Sequence, residues 1–472
     1  MTDAPPSPAD DGTPRGHQAS AADAASGRDD VVHESDAGRP GVTDPSSRTD
    51  QPGQDRSSGS DREERLSRRG LFAMGAGGLA VGALAGVGGT LAVQALTPKD
   101  EGDAIDAALS YPFYGGGHQA GVRTEPQRHC VYMTFDIDPG TTATDLQSLL
   151  ARWSAGIAQL MQGKPVGLVQ PNRPDAVPQD TGEAADLSPN ALTVTLGLGP
   201  GVFDERFGLK AKKPKLLEHL PALPSDTLQA ELTGGDLSLQ ACAEDPQVAY
   251  HAIRDLARIG RGTASTRWTV MGFGRASAGP NQTTPRNLMG FKDGTRNIRT
   301  DDEFDEFVWV DDSDWMSGGT YQVARKIQMN VEIWDADRIS DQQNVFGRSK
   351  SEGAPLSGTK EFDTPDFAKT ESGAHVIPQN SHVALAAHEN NGGIKILRRS
   401  YNYTDGINQY GQLDAGLLFL AYMNDPAHFV TLQSKLGSFD RLKEYVSHIG
   451  SAVFAVPPAA EPGHYLAEKL FD

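Results

Sequence analysis

The stretch Gly290-Phe291-Lys292-Asp293-Gly294-Thr295-Arg296-Asn297 sets one acidic side chain between glycines. An Asp in such a setting can bond its own backbone while Gly supplies positive φ, which makes a simple turn. The same tight backbone can instead present a carboxylate able to hold or move a proton. No GxGxxG or Walker pattern accompanies it, so a phosphate cradle is not indicated. Further along, His382 opens the short apolar run His382-Val383-Ala384-Leu385. A single histidine is more often structural or exposed than a ligand. Then comes Ile394-Lys395-Ile396-Leu397-Arg398-Arg399-Ser400-Tyr401. Arginines in an apolar strand are costly unless they meet a carboxylate or an anionic ligand. The alternative is that both face solvent from an edge strand.

The elements that would carry these residues follow from periodicity. His129 to Ile137 reads as a strand, and Thr144 to Met161 as a helix with Leu146, Leu149, Leu150, Trp153, Ile157 and Leu160 on one face. Strand patterns recur over Ala191 to Leu198 and around Trp268 to Phe273, with a helix over Pro246 to Ile259 between them. The theme repeats with an alternating run from Thr320 to Met329, a helical start over Val331 to Asp335, strands over Ile394 to Tyr403 and Gly416 to Tyr422, and a helix from Pro426 to about Leu436. Strands and helices mix without regular βαβ alternation, which favours an α+β fold of two similar halves over a doubly wound sheet.

Four segments are expected. Residues 1–62 are Asp, Ser, Pro, Gly and Arg with almost no large apolar side chains, a composition that does not fold. Residues 63–95 contain Ser67-Arg68-Arg69-Gly70-Leu71-Phe72, a Gly- and Ala-rich apolar stretch, and the small-residue site Val93-Gln94-Ala95. Paired arginines before a mildly apolar segment are the twin-arginine export signal. The competing reading is a transmembrane anchor, which the many glycines disfavour. The two halves follow as 96–280 and 281–472, parting near Ala278-Gly279-Pro280-Asn281. The expected location is therefore extracellular or in the cell envelope, tethered to the membrane if the signal stays uncleaved.

A net charge of −19 argues against nucleic-acid binding. The two cysteines, Cys130 and Cys242, have no metal-type spacing. They read as small buried residues, with a single bridge between them as the alternative.

Taken in order, these motifs resemble the dye-decolourising peroxidase family, in its exported bacterial subgroup. The resemblance runs from about Gly116 to Pro458. It rests on Gln240 to Pro246, Arg286 to Asn297 with its GxxDG core, Gly318-Gly319-Thr320-Tyr321, Gly347-Arg348 through Gly353-Ala354-Pro355-Leu356, Asn380 to Leu385, and Ile396 to Tyr403. GxxDG alone is a common turn; GxxDG followed by a His and then by LRR-x-Y is specific. The resemblance implies two ferredoxin-like halves in a dimeric α+β barrel arrangement. It implies one haem b per chain, with His382 as the iron ligand and Asp293 and Arg398 as the residues that handle peroxide. Gly294 belongs to the same turn, Arg348 is implied as a propionate partner, and Phe419 as part of the apolar wall. Glu444 is implied as the acid that holds the imidazole of His382, with Asp414 as the alternative. Hydrogen peroxide, an organic electron donor and the twin-arginine export machinery are the expected partners, and a homo-oligomer is compatible with the family. The expected activity is oxidation of dyes, phenols or other bulky one-electron donors. Removal of iron from haem and non-catalytic haem binding are the alternatives.

Overall fold

The computed structural model describes residues 105–274, 284–311 and 314–472. The extension over 1–62 and the segment over 63–95, expected to be a twin-arginine signal, lie outside the described residues. Among the described residues no helix is long and apolar enough to cross a membrane.

The first half consists of β1 (His129–Ile137), α1 (Ala143–Leu160), β2 (Thr193–Leu198), β3 (Leu237–Ala243), α2 (Pro246–Gly260) and β4 (Ala264–Phe273). A short α3 (Asp301–Phe307) then leads to β5 (Thr320–Met329), α4 (Val331–Asp335) and α5 (Ile339–Phe346). The small hairpin β6 (Thr370–Glu371) and β7 (Ala374–His375) precedes α6 (His382–Ala386) and β8 (Leu397–Arg398). The chain closes with β9 (Tyr401–Ile407), β10 (Leu413–Met423), α7 (Pro426–Phe439) and β11 (Val446–Val456).

Strand pairing shows the repeat. β2, β3, β1 and β4 lie side by side in that order, all antiparallel. β9, β10, β5 and β11 do the same. Each set is a βαββαβ unit with its first and third strands at the centre, the ferredoxin-like order. Gly272 of β4 meets Tyr403 of β9, and Ala455 of β11 meets Leu198 of β2, so the two four-stranded sheets join at both edges into a barrel. Closure removes the open edges that would otherwise template aggregation. The α+β fold of two ferredoxin-like halves expected from sequence is the fold observed.

Closure also explains two departures from the sequence reading. β5 alternates in sequence, yet nearly all of it is buried, because a barrel strand has an interior face and a helix- or loop-covered exterior face. β3 is buried at every position, so no alternation betrays it.

The barrel interior holds Tyr132, Trp268, Tyr401, Tyr403, Leu418 and Phe454. Four buried polar side chains bond in series: Tyr132 donates to Gln322 at 3.0 Å, Gln322 Nε2 to the Tyr422 hydroxyl at 2.8 Å, and Tyr422 to Gln240 at 2.7 Å. Cys130 and Cys242 are opposite each other on β1 and β3, both buried and not joined by a disulfide.

Outside the barrel, α1 is started by a capping box between Thr142 and Asp145. It buries Leu146, Leu149, Leu150, Trp153 and Ile157 completely against the first sheet. Each such side chain contributes about 1.5–3 kcal/mol by leaving water. The periodicity that marked this helix in the sequence is thus the periodicity of its packed face.

Candidate active site

The long connection between β5 and β9 does not follow the ferredoxin-like plan, and it builds the site. Together with the Asp293 turn, β10 and α7, it encloses a cavity of about 260 Å³, counted as room for the centres of water molecules. Apolar walls come from Ile327, Met329, Phe346, Leu417, Phe419 and Leu436. His382, Asp293, Arg398 and Arg348 line the same space.

His382 is the first residue of α6, and its Nδ1 lies 2.6 Å from Asp440 Oδ2. Asp440 follows α7 and caps the next turn: its other oxygen, Oδ1, accepts the Leu442 N–H at 2.9 Å. The carboxylate is only 3% exposed and is held at both oxygens. A carboxylate can only accept here, so Nδ1 carries the hydrogen and Nε2 is the ring nitrogen left for a ligand. Burial opposes a charged imidazole, but the charge and hydrogen bond of Asp440 outweigh it, with Asp293 adding. The His382 pKa is raised in consequence.

This corrects one sequence expectation. The acid that holds His382 is neither Glu444 nor Asp414. Glu444 ends the turn begun at Asp440 and faces solvent. Asp414 sits on β10, where it accepts from Gln328 at 3.3 Å. Asp440 carries the signature of a cap, Asp-Arg-Leu-Lys just past an apolar helix, and that position is what aims its carboxylate back at α6.

Asp293 and Arg398 meet in an ion pair, Oδ1 to a guanidinium nitrogen at 2.6 Å. Both readings of the Gly-flanked Asp turn out to coexist. The turn is real, with Gly290 at φ +83° and Gly294 at φ +123°. The Asp293 N–H bonds the Pro285 carbonyl at 2.8 Å, and the side chain is left to face the cavity. Asn297, three residues beyond Gly294, pins Arg398: its Oδ1 accepts the Arg398 N–H at 2.8 Å and its Nδ2 donates to the Arg398 carbonyl at 2.7 Å.

The paired arginines do not both face solvent. The run expected as one strand breaks after Arg398, and β9 restarts at Tyr401. Arg398 points to the cavity, whereas Arg399 is 2% exposed and reaches Gln127 and the Thr124 carbonyl. Arg399 therefore ties the segment before β1 to the second half.

Arg348 lines the cavity, 6% exposed, and donates to the carbonyls of Gly353 at 2.5 Å and Glu361 at 3.0 Å. Burial lowers its pKa, and the nearby Arg296 and Arg398 lower it further, against the opposing pull of Glu361. Phe419 also lines the cavity, its ring 6.0 Å from that of Phe429. Phe346 lies edge-on to the His382 ring at 6.1 Å and stacks on Phe291 at 4.0 Å. Three rim cations were not singled out from sequence. Arg296 pairs with Glu389 at 2.6 Å, Lys395 with Glu303 at 2.7 Å, and Lys292 with Glu361. Isolated charges in a sequence look like a solvated face, and only the fold gathers these on one opening.

The model of the Dyp-type peroxidase N-terminal domain matches residues 119–274, and that of the C-terminal domain matches 284–461. The chain belongs to the Dyp-type peroxidase family. Among curated relatives, a deferrochelatase of Yersinia pestis is 38% identical over 412 residues, covering 84% of this chain and 93% of that one. A deferrochelatase of Escherichia coli is 39% identical over 373 residues, covering 76% and 86%. Among solved structures, the DyP-type peroxidase of Streptomyces coelicolor superposes with a TM-score of 0.72 at 38% identity, over 78% of this chain and 98% of that one. Ferric DtpA from Streptomyces lividans gives 0.72 at 37%, over 77% and 97%.

Proposed function

We propose that this chain is an exported haem peroxidase that holds haem b in the cavity beside His382 and uses hydrogen peroxide to oxidise dyes, phenols or other bulky one-electron donors. The observation that carries this reading is the pairing of a carboxylate-tethered imidazole with an Asp–Arg ion pair in one apolar-walled space.

The residues present fit the group. The walls are apolar, as a porphyrin face requires. One ring nitrogen of His382 is free for iron. Arg296, Arg348 and Arg398 crowd one another enough that the charges of two depress the pKa of the third. Of the three only Arg348 is buried, and it donates to backbone carbonyls, so it calls for an anion, which a propionate would supply.

When bound, haem supplies an iron with one open face and the electrons that peroxide takes up. The chain does the rest. His382 would hold the group through Nε2, while Asp440 fixes the ring and raises its basicity through Nδ1–H. Asp293 would accept a proton from one peroxide oxygen and return it to the other. Arg398 places a fixed positive charge beside the oxygen on which negative charge develops. Asn297 holds that guanidinium's backbone in place, so no reorganisation is needed during the reaction.

Asp440→Asn keeps the shape of the acid but removes its charge. The expected result is a haem-loaded protein with a higher ferric–ferrous potential and a peroxide reaction about 10–100-fold slower. Glu444→Gln, at an exposed position, should change neither. Spectroelectrochemical titration and stopped-flow mixing of both variants check this; equal effects would return the role to Glu444.

The Yersinia and Escherichia relatives favour a second reading, removal of iron from haem. The two are separated by incubating the haem-loaded protein with peroxide and a phenol or dye, then extracting the pigment. Catalytic donor oxidation with intact haem is expected. Accumulation of metal-free porphyrin with negligible donor turnover would establish the second reading. Export by the twin-arginine route is supported by the arginine pair and the apolar run behind it. Fractionation of cells expressing Arg68→Lys/Arg69→Lys tests it, with retention inside the cell as the expected outcome.

A further inference from the structure

α2 carries His251 and Asp255, one turn apart and therefore on the same helical face. Asp180, from the loop between α1 and β2, meets them there, and all three are buried. His251 Nε2 lies 3.6 Å from Asp180 Oδ2 and 3.6 Å from Asp255 Oδ2. That is too long for a hydrogen bond. It is close to the edge of a tetrahedral metal site, where bonds of about 2.0–2.1 Å place neighbouring ligand atoms about 3.3–3.5 Å apart. One ligand atom from each residue lies within 4.8 Å of the others.

The surroundings are those of a held ligand set. The opposite ring nitrogen, Nδ1, is 3.2 Å from Glu183 Oε2 and 3.3 Å from Thr181 Oγ1. A carboxylate behind a histidine is the usual support of a metal-bound imidazole. Asp180 is fixed by the N–H groups of Val166 and Gly182, each at 2.8 Å, and each of its oxygens keeps a further lone pair.

A separate observation points to a missing cation. Asp255 Oδ1 has no hydrogen-bond partner, although the side chain is 1% exposed; the nearest cation is Arg258, at 3.7 Å. A buried carboxylate oxygen left in that state is costly.

We propose that Asp180, His251 and Asp255 bind one divalent transition-metal ion of the zinc class, pinning the 162–190 loop to α2 at a distance from the haem cavity. A mixed imidazole–carboxylate donor set suits zinc or manganese over calcium or magnesium. The role is structural: the ion ties an irregular loop to the helix that covers β1 and β3.

The test uses the full-length, haem-loaded protein, stripped with EDTA and dialysed against zinc. The wild type should retain one more zinc ion per chain than Asp255→Asn does, and only the wild type should gain melting temperature on zinc addition. Glu183→Gln should weaken this binding about 10–100-fold. The haem spectrum should be the same in all three. Equal zinc retention in wild type and Asp255→Asn overturns the proposal. Should Asp255→Asn fail to fold, anomalous scattering at the zinc edge from zinc-soaked wild-type crystals decides: a peak beside His251 Nε2 is expected, and none there overturns it.

Discussion

Replacing His382 with Ala should yield a folded protein that no longer retains haem. The imidazole lines the cavity with its Nδ1 tied to the Asp440 carboxylate at 2.6 Å, which leaves Nε2 for a ligand. Without it, only apolar contact and the rim cations would remain to hold the group. The Soret absorbance per chain should fall close to zero, while far-ultraviolet circular dichroism stays that of the wild type. Two histidines serve as controls. His375 lies on the exposed β7 and bonds the Phe367 carbonyl at 3.1 Å. His388 lines the cavity but sits beside Glu389 at 3.4 Å. His375→Ala and His388→Ala should both keep the Soret band. Loss of haem in either, with retention in His382→Ala, would move the ligand.

The second large effect is expected at the ion pair. Asp293→Asn removes the proton acceptor and leaves the shape. Arg398→Leu removes the fixed charge. Each should slow the reaction with peroxide by about 10²–10⁴-fold, the range of a lost general base or of a lost charge stabiliser. Haem content should not change, because neither residue is assigned to the iron. The two act on the same peroxide and touch each other at 2.6 Å, so their effects should not add. The double variant should be little slower than the worse single one. Stopped-flow mixing with peroxide in the absence of donor measures this. A fully additive double variant would mean that the two residues work at separate steps.

How far the sequence could lead depended on what kind of signal each part leaves. Amphipathic elements were legible: α1 and α2 show their buried faces as periodic apolar residues, and β1 shows its strand as an apolar run of the right length. β3 and β11 were not, since strands buried on both faces carry no alternation. The repeated βαββαβ plan was legible as a mixed order of elements. Barrel closure was not, because it depends on pairing between residues as far apart as Leu198 and Ala455. At the site, Asp293, His382 and Arg398 were found through the order of their motifs, and the fold brings all three to one cavity. The acid behind His382 was misplaced by four residues. Residue type could not separate Asp440 from Glu444; the capping geometry that aims one inward and leaves the other in solvent could. The cationic rim was invisible for a related reason. Lys292 and Arg296 lie far in sequence from Lys395, and their convergence on one opening is a property of the folded chain alone.

The central claim is that the cavity beside His382 holds haem and turns over peroxide. The most direct measurement is the absorption spectrum of the purified protein before and after one equivalent of hydrogen peroxide. A Soret band at about one haem per chain is expected, with a shift of that band on adding peroxide and its return when a phenol or dye is supplied. A protein with no Soret band, or with a band that peroxide leaves unchanged, would contradict that claim.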